Sequence, residues 1–375
     1  MTKIKTTHVG SLPRSQEVVD LIFAREHKKQ FDQIHFDKTM AFACAQTVKR
    51  QNDAGIDIVS DGETSKIEAK NYLLQKLDSA GINYSENIVV LPKDTIYGII
   101  NNSVGNLRGR PSHSSELVSQ TLLGTRVKVL KKQGEWYLIQ TPDEYISWID
   151  HGGISIVSES EYNNYYKNPY IFSSVQGFAY STAERKAIIS DLVVGSVLNV
   201  TDKIGGFYKI EYPDKRVGWV NQMDISPMYN ISDKTTSDII NNSKKFIGVP
   251  YLWGGTSSKG FDCSGFTKII YLMNGLVIPR DASQQINEGL LVDQNRNWDN
   301  LNEGDLMFFG YYRDGKRRID HVAIWIGDGK FIQASKNVRI NSVYADDPLY
   351  DKYHMEKYME SRRIIGHETS GVKKL

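Results

Sequence analysis

A repeat limits the architecture before any motif is considered. The stretch GTRVKVLKKQGEWYLIQTPDEYISWID at 124–150 aligns without a gap on GSVLNVTDKIGGFYKIEYPDKRVGWVN at 195–221. Gly124 falls on Gly195, Trp136 on Phe207, Tyr137 on Tyr208, Pro142 on Pro213 and Trp148 on Trp219. Landmarks kept in register over that length require both copies to fold alike. Each copy is a set of short alternating runs split by Gly, Pro and Asp, which predicts two small all-β barrels of about sixty residues. Trp148 and Trp219 are expected to pack within those barrels.

The chain has 375 residues, of which 40% are hydrophobic, enough for two or three domains with cores of their own. Lys and Arg total 46 against 44 Asp and Glu. This near balance gives no global attraction to nucleic acid or anionic lipid. The opening MTKIKTTHVGSLPRSQ is basic but has no apolar run behind it. It therefore reads as neither a signal peptide nor a membrane anchor, and the chain as written is expected in the cytoplasm. The alternative is the periplasm or cell envelope, had this segment replaced an export signal.

The fold class expected is multidomain. Residues 1–66 read as strand, helix, strand, an α/β fragment in which 15–54 is helical. Residues 67–155 hold the first barrel, led by the amphipathic helix AKNYLLQKLDSAGI, and residues 156–230 hold the second. Residues 231–375 read as an α+β domain. Helices over TTSDIINNSKKFIG and DCSGFTKIIYLMNG, the latter closed by Gly275, come first; the strands GDLMFFG, HVAIWIG and KFIQAS follow.

Two cysteines, Cys44 and Cys263, cannot build a disulfide framework or a four-thiolate zinc site, and no histidine cluster accompanies either, so no metal or cofactor is expected. Cys263 lies in GVPYLWGGTSSKGFDCSGF, where Gly254, Gly255 and Gly260 allow tight turns before a helix whose apolar face is Phe266, Ile269, Ile270 and Met273. A thiol in the first helical turn meets free N–H groups and the helix dipole, which favour the thiolate. His321 opens the strand HVAIWIG and is the expected base; Gln333 in FIQAS can accept the imidazole N–H and orient the ring. His113, His151, His354 and His367 stand in polar, loop-like or terminal contexts and are expected on the surface. Asp262 beside the nucleophile opposes thiolate formation unless it serves a cation such as a substrate ammonium. Arg280 and Ser283 in IPRDASQQ are further cleft candidates, although a helix N-cap accounts for Asp281 equally well.

The order YLWGG, FDCSGF, DHVAIWIGDGKFIQAS over residues 240–366 closely resembles the NlpC-type family of cell-wall cysteine peptidases, whose papain-like core is circularly rearranged. That family most often carries His where this chain has Gln333. The repeat pattern resembles bacterial SH3-like domains. Together, residues 67–375 are similar to the three-domain γ-D-glutamyl-L-diamino acid endopeptidases that cut murein peptides bearing a free N-terminal L-Ala. The resemblance implies peptidoglycan stem peptides as partners, with no nucleic acid and no membrane span. It implies Cys263, His321 and Gln333 as catalytic residues and Asp262 as the site of the substrate's α-ammonium. Glu116 and Tyr145 would close the cleft, with surface charge and barrel packing as their other reading. Tyr251 and the Cys263 N–H would form an oxyanion hole, and Ser264 would add a substrate hydrogen bond. The alternative is a module that binds such peptides without cutting them.

THVGSLPR and AGIDIVSDGE, with His8 and Glu63, resemble the start of the cobalamin-independent methionine synthase barrel. Such a barrel takes roughly 250 residues, so a 66-residue piece is expected to be a fused fragment without synthase activity.

Overall fold

The computed structural model describes residues 95–228, 236–313 and 315–375, with residues 32, 35, 36, 38, 39, 42 and 43 of the N-terminal region. The chain separates into two units, Met1–Asp94 and Thr95–Leu375. In the first, the residues described from 35 onward are helical, as the sequence predicts over 15–54, and the Asp32 carboxylate accepts from the His35 amide. Cys44, His8, Glu63 and the helix expected over 69–82 lie outside the described residues.

The second unit opens with two seven-stranded antiparallel sheets of the same ladder order. In the first, Leu117–Leu122 pairs with Val104–Arg108, followed by Ile146–Asp150, Trp136–Gln140, Arg126–Gln133, Ile96–Ile100 and Ile154–Val157. The second runs Ile188–Val193, Gln176–Tyr180, Val217–Asn221, Phe207–Glu211, Val197–Ile204, Pro169–Phe172 and Ile225–Pro227. Five of the seven strands start at positions related by the same shift as Gly124 and Gly195. The backbone repeats in finer detail still. Gly124 and Gly195, Gly134 and Gly205, and Glu144 and Lys215 all adopt positive φ.

Each sheet folds round its own core. In the first, Ile100, Leu107, Val127, Val129, Ile139, Ile149 and Ile154 form one buried cluster, with Val118 packed on it. All seven strands contribute, so the sheet curls, yet no pairing joins its two edge strands. The closed barrels expected from the sequence are thus corrected to curled sheets with open ladders. The free edge strand Leu117–Leu122 is what meets the C-terminal region.

That region is the expected α+β plan. Helices Thr236–Lys244 and Cys263–Leu272 precede a six-stranded antiparallel sheet ordered Leu290–Asp293, Tyr358–Arg363, Leu306–Arg313, Lys316–Gly327, Lys330–Ser335, Asn337–Ser342. Helix Cys263–Leu272 ends at Gly275, whose φ of 80° suits the chain reversal there. Phe266, Ile269 and Ile270 bury their side chains with Phe308, Val322, Ile324, Ile332 and Ala334. The alternate residues Met307, Phe309, Ala323, Trp325 and Phe331 build a second core. The helix is therefore clamped by its hydrophobic face, and its first residue is fixed relative to the central strands.

Candidate active site

Cys263 is the first residue of its helix, and Asp262 is the N-cap, its carboxylate accepting from the Gly265 amide at 2.7 Å. Ahead of it, the loop 251–262 packs against the edge strand of the first sheet. Gly254 has φ +76°, and a Cβ there would stand 2.3 Å from the Leu117 carbonyl oxygen. Only glycine satisfies both demands. Gly265 is equally confined, since its Cβ would fall 2.0 Å from the Gly255 carbonyl oxygen.

The carboxylate of Asp262 anchors five donors. Oδ1 accepts from Gly265, from Arg280 Nη1 at 3.1 Å and from Ser264 Oγ; Oδ2 accepts from the Gly254 amide at 3.0 Å and Arg280 Nη2 at 2.5 Å. Arg280 is 1% exposed and also donates to Ser264 Oγ at 2.8 Å and to Ser119 Oγ of the first sheet at 2.9 Å. Asp262, expected to face a substrate ammonium, thus spends its lone pairs on protein donors. Arg280 is a buried strut between the first sheet and the start of the nucleophile's helix.

The Cys263 thiol is 7% exposed and lies against the backbone of Val322, the residue after His321; the polarity of that backbone favours the thiolate only weakly. Burial, and then the charge of Asp262, push the thiol up to about 12. The thiolate preference expected from the helix start is therefore overturned: the dipole is present, but desolvation and the adjacent carboxylate outweigh it. Burial, and then neighbouring His354, push His321 down to about 3. The resting pair is a thiol and a neutral imidazole.

His321 Nε2 lies 2.6 Å from Gln333 Oε1. Gln333 is fully buried, and its Nε2 donates to Asn341 Oδ1 and to Asp351 Oδ2, each at 2.8 Å. With both amide hydrogens placed, Oε1 is an acceptor, His321 carries its proton on Nε2, and Nδ1 is left as the basic nitrogen. Asp351 in turn accepts from His354 Nδ1 at 2.7 Å, and the two imidazole centroids are 4.3 Å apart. His354, expected on the surface, is only 5% exposed. Its local signal was the spacing of Asp351 and His354, which places the aspartate as N-cap of helix Lys352–Glu356; Phe309 and Tyr353 then enclose the ring.

Tyr251 and Tyr145 are half-buried. Burial raises both phenols; the next contributions are Cys263 and Asp262 for Tyr251, and Asp281 for Tyr145, which also feels Arg280, Asp143 and Asp262. Tyr145 thus belongs to the Arg280–Asp262 neighbourhood. Glu116 accepts from Trp253 Nε1 at 2.7 Å, tying the exposed rim of the first sheet to the YLWGG loop. Ser283 is not drawn in: it is exposed, and its carbonyl accepts from Asn287. Asp281 is the N-cap of Ala282–Gln285, in a capping box with Gln284.

The first sheet is held against the C-terminal region by polar contacts. Gln120 Oε1 accepts from the Thr256 amide and Ser257 Oγ, its carbonyl accepts from Thr256 Oγ1, and Lys268 Nζ meets Asp143 at 2.6 Å. The surroundings of the nucleophile loop are thereby shared by two domains.

Comparison with known proteins agrees with this layout. Residues 248–363 match the model of the NlpC/P60 family, and residues 103–155 that of the bacterial SH3 domain. The gamma-D-glutamyl-L-lysine dipeptidyl-peptidase of Bacillus subtilis (strain 168) is 32% identical over 245 residues, covering 62% of this chain and 78% of that protein. The chain belongs to the NlpC/P60 family. NlpC/P60 is a cysteine peptidase family, and the names of the relatives support a hydrolase. The Bacillus cereus (strain ATCC 10987 / NRS 248) protein of the same name is 29% identical over 68% of this chain and 77% of its own length. The crystal structure of an NlpC/P60 family protein from Bacillus cereus ATCC 10987 superposes with a TM-score of 0.60 at 25% identity, over 71% of this chain and 99% of that one. Residues 4–100 match the catalytic domain of cobalamin-independent synthase. That match runs past residue 66 into Ile96–Ile100, which here is a strand of the first sheet.

Proposed function

We propose that this chain hydrolyses the bond between the γ-carboxyl of D-glutamate and the L-diamino acid in murein peptides that begin with a free L-Ala. The observation carrying this reading is the oriented amide of Gln333, which leaves Nδ1 as the basic nitrogen of His321, the residue before Val322, whose backbone lies against the thiol at the helix start. The names of the Bacillus relatives support the choice of bond.

In the reaction, His321 Nδ1 takes the Cys263 proton as sulfur attacks the γ-carbonyl carbon. The resting pair is neutral, so proton transfer accompanies attack. The Cys263 amide and Tyr251 hydroxyl face the developing oxyanion. His321 then protonates the diamino acid's departing α-amine, and water, deprotonated by His321, splits the thioester to release L-Ala-D-Glu. Tyr145, Glu116 and the carboxylate of Asp281 favour a substrate bearing an N-terminal ammonium.

The test is incubation with L-Ala-γ-D-Glu-L-Lys and the corresponding diaminopimelate peptide, beside N-acetylated copies and Cys263→Ala, with products weighed by mass spectrometry. Release of L-Ala-D-Glu from the free peptides alone supports the reading. Cleavage of the acetylated copies removes the amine preference, and turnover by Cys263→Ala removes the nucleophile. Tight binding without cleavage by the wild type, persisting in Gln333→His, would favour the peptide-binding module.

A further inference from the structure

A glutamine in the third position of a cysteine peptidase site carries a hazard that a carboxylate does not. Its amide has two faces. With Oε1 towards His321, the ring keeps its proton on Nε2 and Nδ1 is free to accept from the thiol. Turned by half a rotation, the NH2 group would donate to Nε2 instead, the proton would sit on Nδ1, and the base would be lost.

Two groups oppose that rotation, and they are not equivalent. Asn341 Oδ1 accepts from Gln333 Nε2, but Asn341 is itself an amide, held by a 3.2 Å bond from its Nδ2 to the Leu349 carbonyl, and could turn in concert. Asp351 cannot. Ionised, it has no hydrogen to give, so a Gln333 oxygen turned towards it would meet only oxygen. Its ionised state is secured by position. His354 donates to it from Nδ1 at 2.7 Å and from its backbone amide at 3.2 Å, and Arg339 Nη2 stands 3.8 Å away.

We propose that Asp351, held by His354, is a positioning residue that locks the Gln333 amide in the one orientation that leaves His321 able to act as a base. Asp351 acts through Gln333 and contacts neither the thiol nor the substrate. The inference rests on the assignment of Cys263, His321 and Gln333 as the catalytic residues.

The experiment is a cycle of Asp351→Ala and Gln333→Glu, with Asp351→Asn as the conservative variant. The kcat and KM are measured on L-Ala-γ-D-Glu-L-Lys, and folding is followed by circular dichroism and melting. Asp351→Ala lowers kcat roughly ten- to hundredfold at unchanged KM, a part of the roughly 10²–10⁴ that a positioned base contributes. Asp351→Asn, whose oxygen can still accept, recovers part of the loss. In the Gln333→Glu background a carboxylate has no donor face to misdirect and is repelled by Asp351, so Asp351→Ala there leaves kcat unchanged or raises it. An equal fall in both backgrounds, or a lowered melting temperature with kcat intact, overturns the proposal. The initial rate of Cys263 alkylation by iodoacetamide at neutral pH, followed on its peptide, uses the same base without substrate and gives the same ordering if the chosen peptide is inert. Turnover surviving in Cys263→Ala would instead remove the catalytic assignment itself.

Discussion

Arg280 joins Ser119 to Asp262: its Nε donates to the serine hydroxyl at 2.9 Å, and its two Nη atoms hold both carboxylate oxygens of the aspartate. One buried guanidinium therefore couples the edge strand of the first β domain to the residue that caps the nucleophile's helix.

Removing one half of this pair strands the other. Arg280→Met leaves the Asp262 charge buried and unpaired, which costs about 3–5 kcal/mol. The double variant Arg280→Met with Asp262→Asn is expected to lose less than the sum of the single losses. Urea unfolding measures all three, and additive losses would show that the two side chains are not energetically coupled.

The nucleophile can be removed without damage to the fold. Cys263 makes no covalent link and fills little of its core cluster, so Cys263→Ala abolishes turnover while costing roughly 1 kcal/mol or less, the scale of a small buried truncation. Thermal melting beside the peptide assay checks both halves.

The resting protonation states set the pH response. His321, pushed down to about 3, is a free base throughout the neutral range, and the acid limb of kcat/KM is expected well below the ordinary histidine value of 6.5. Cys263, pushed up to about 12, is a thiol there, so alkylation by iodoacetamide rises with pH beyond neutrality. A fall in kcat/KM centred near the ordinary histidine value of 6.5 would instead assign an unperturbed imidazole.

Asp143 gives the domain contact a pH signature. Burial would raise its pKa, but Lys268, 2.6 Å away, holds it below the ordinary value of 3.8. A folded pKa below the unfolded one stabilises the protein above 3.8, and that contribution disappears as pH falls through the folded value. Asp143→Asn therefore flattens the acid side of the unfolding free energy between pH 5 and 3. An unchanged slope would assign the acid sensitivity elsewhere.

The sequence exposed those parts of the molecule in which local pattern and tertiary role coincide. The repeat landmarks Gly124 and Gly195 occupy matching positive-φ turns. The strands predicted around Phe308, Ile324 and Ile332 are central strands with continuous apolar runs. The strand Tyr358–Arg363 was not legible, because Glu360 is buried by pairing with Arg317 of a distant strand as well as with its neighbour Arg362. His354 escaped for the same reason: Tyr353 covers it locally but is itself exposed, while Phe309 and His321, which complete its enclosure, are distant in sequence. The Cys263 environment was half legible. The N-cap was visible from Asp262, but the extent of desolvation depends on packing across two strands.

The close approach of Gly254 to the Leu117 carbonyl bears on modularity. A nucleophile loop moulded to another domain's main chain cannot be transplanted with its helix and sheet alone. A protein cut to begin at residue 236 would keep Cys263, His321 and Gln333 yet lack Ser119 for Arg280, Gln120 for Thr256 and Asp143 for Lys268. Buried donors would be left facing water along a surface shaped for contact. In this chain the unit of inheritance for the chemistry is the pair of domains, and recombination that separates them would deliver the catalytic residues without their cleft.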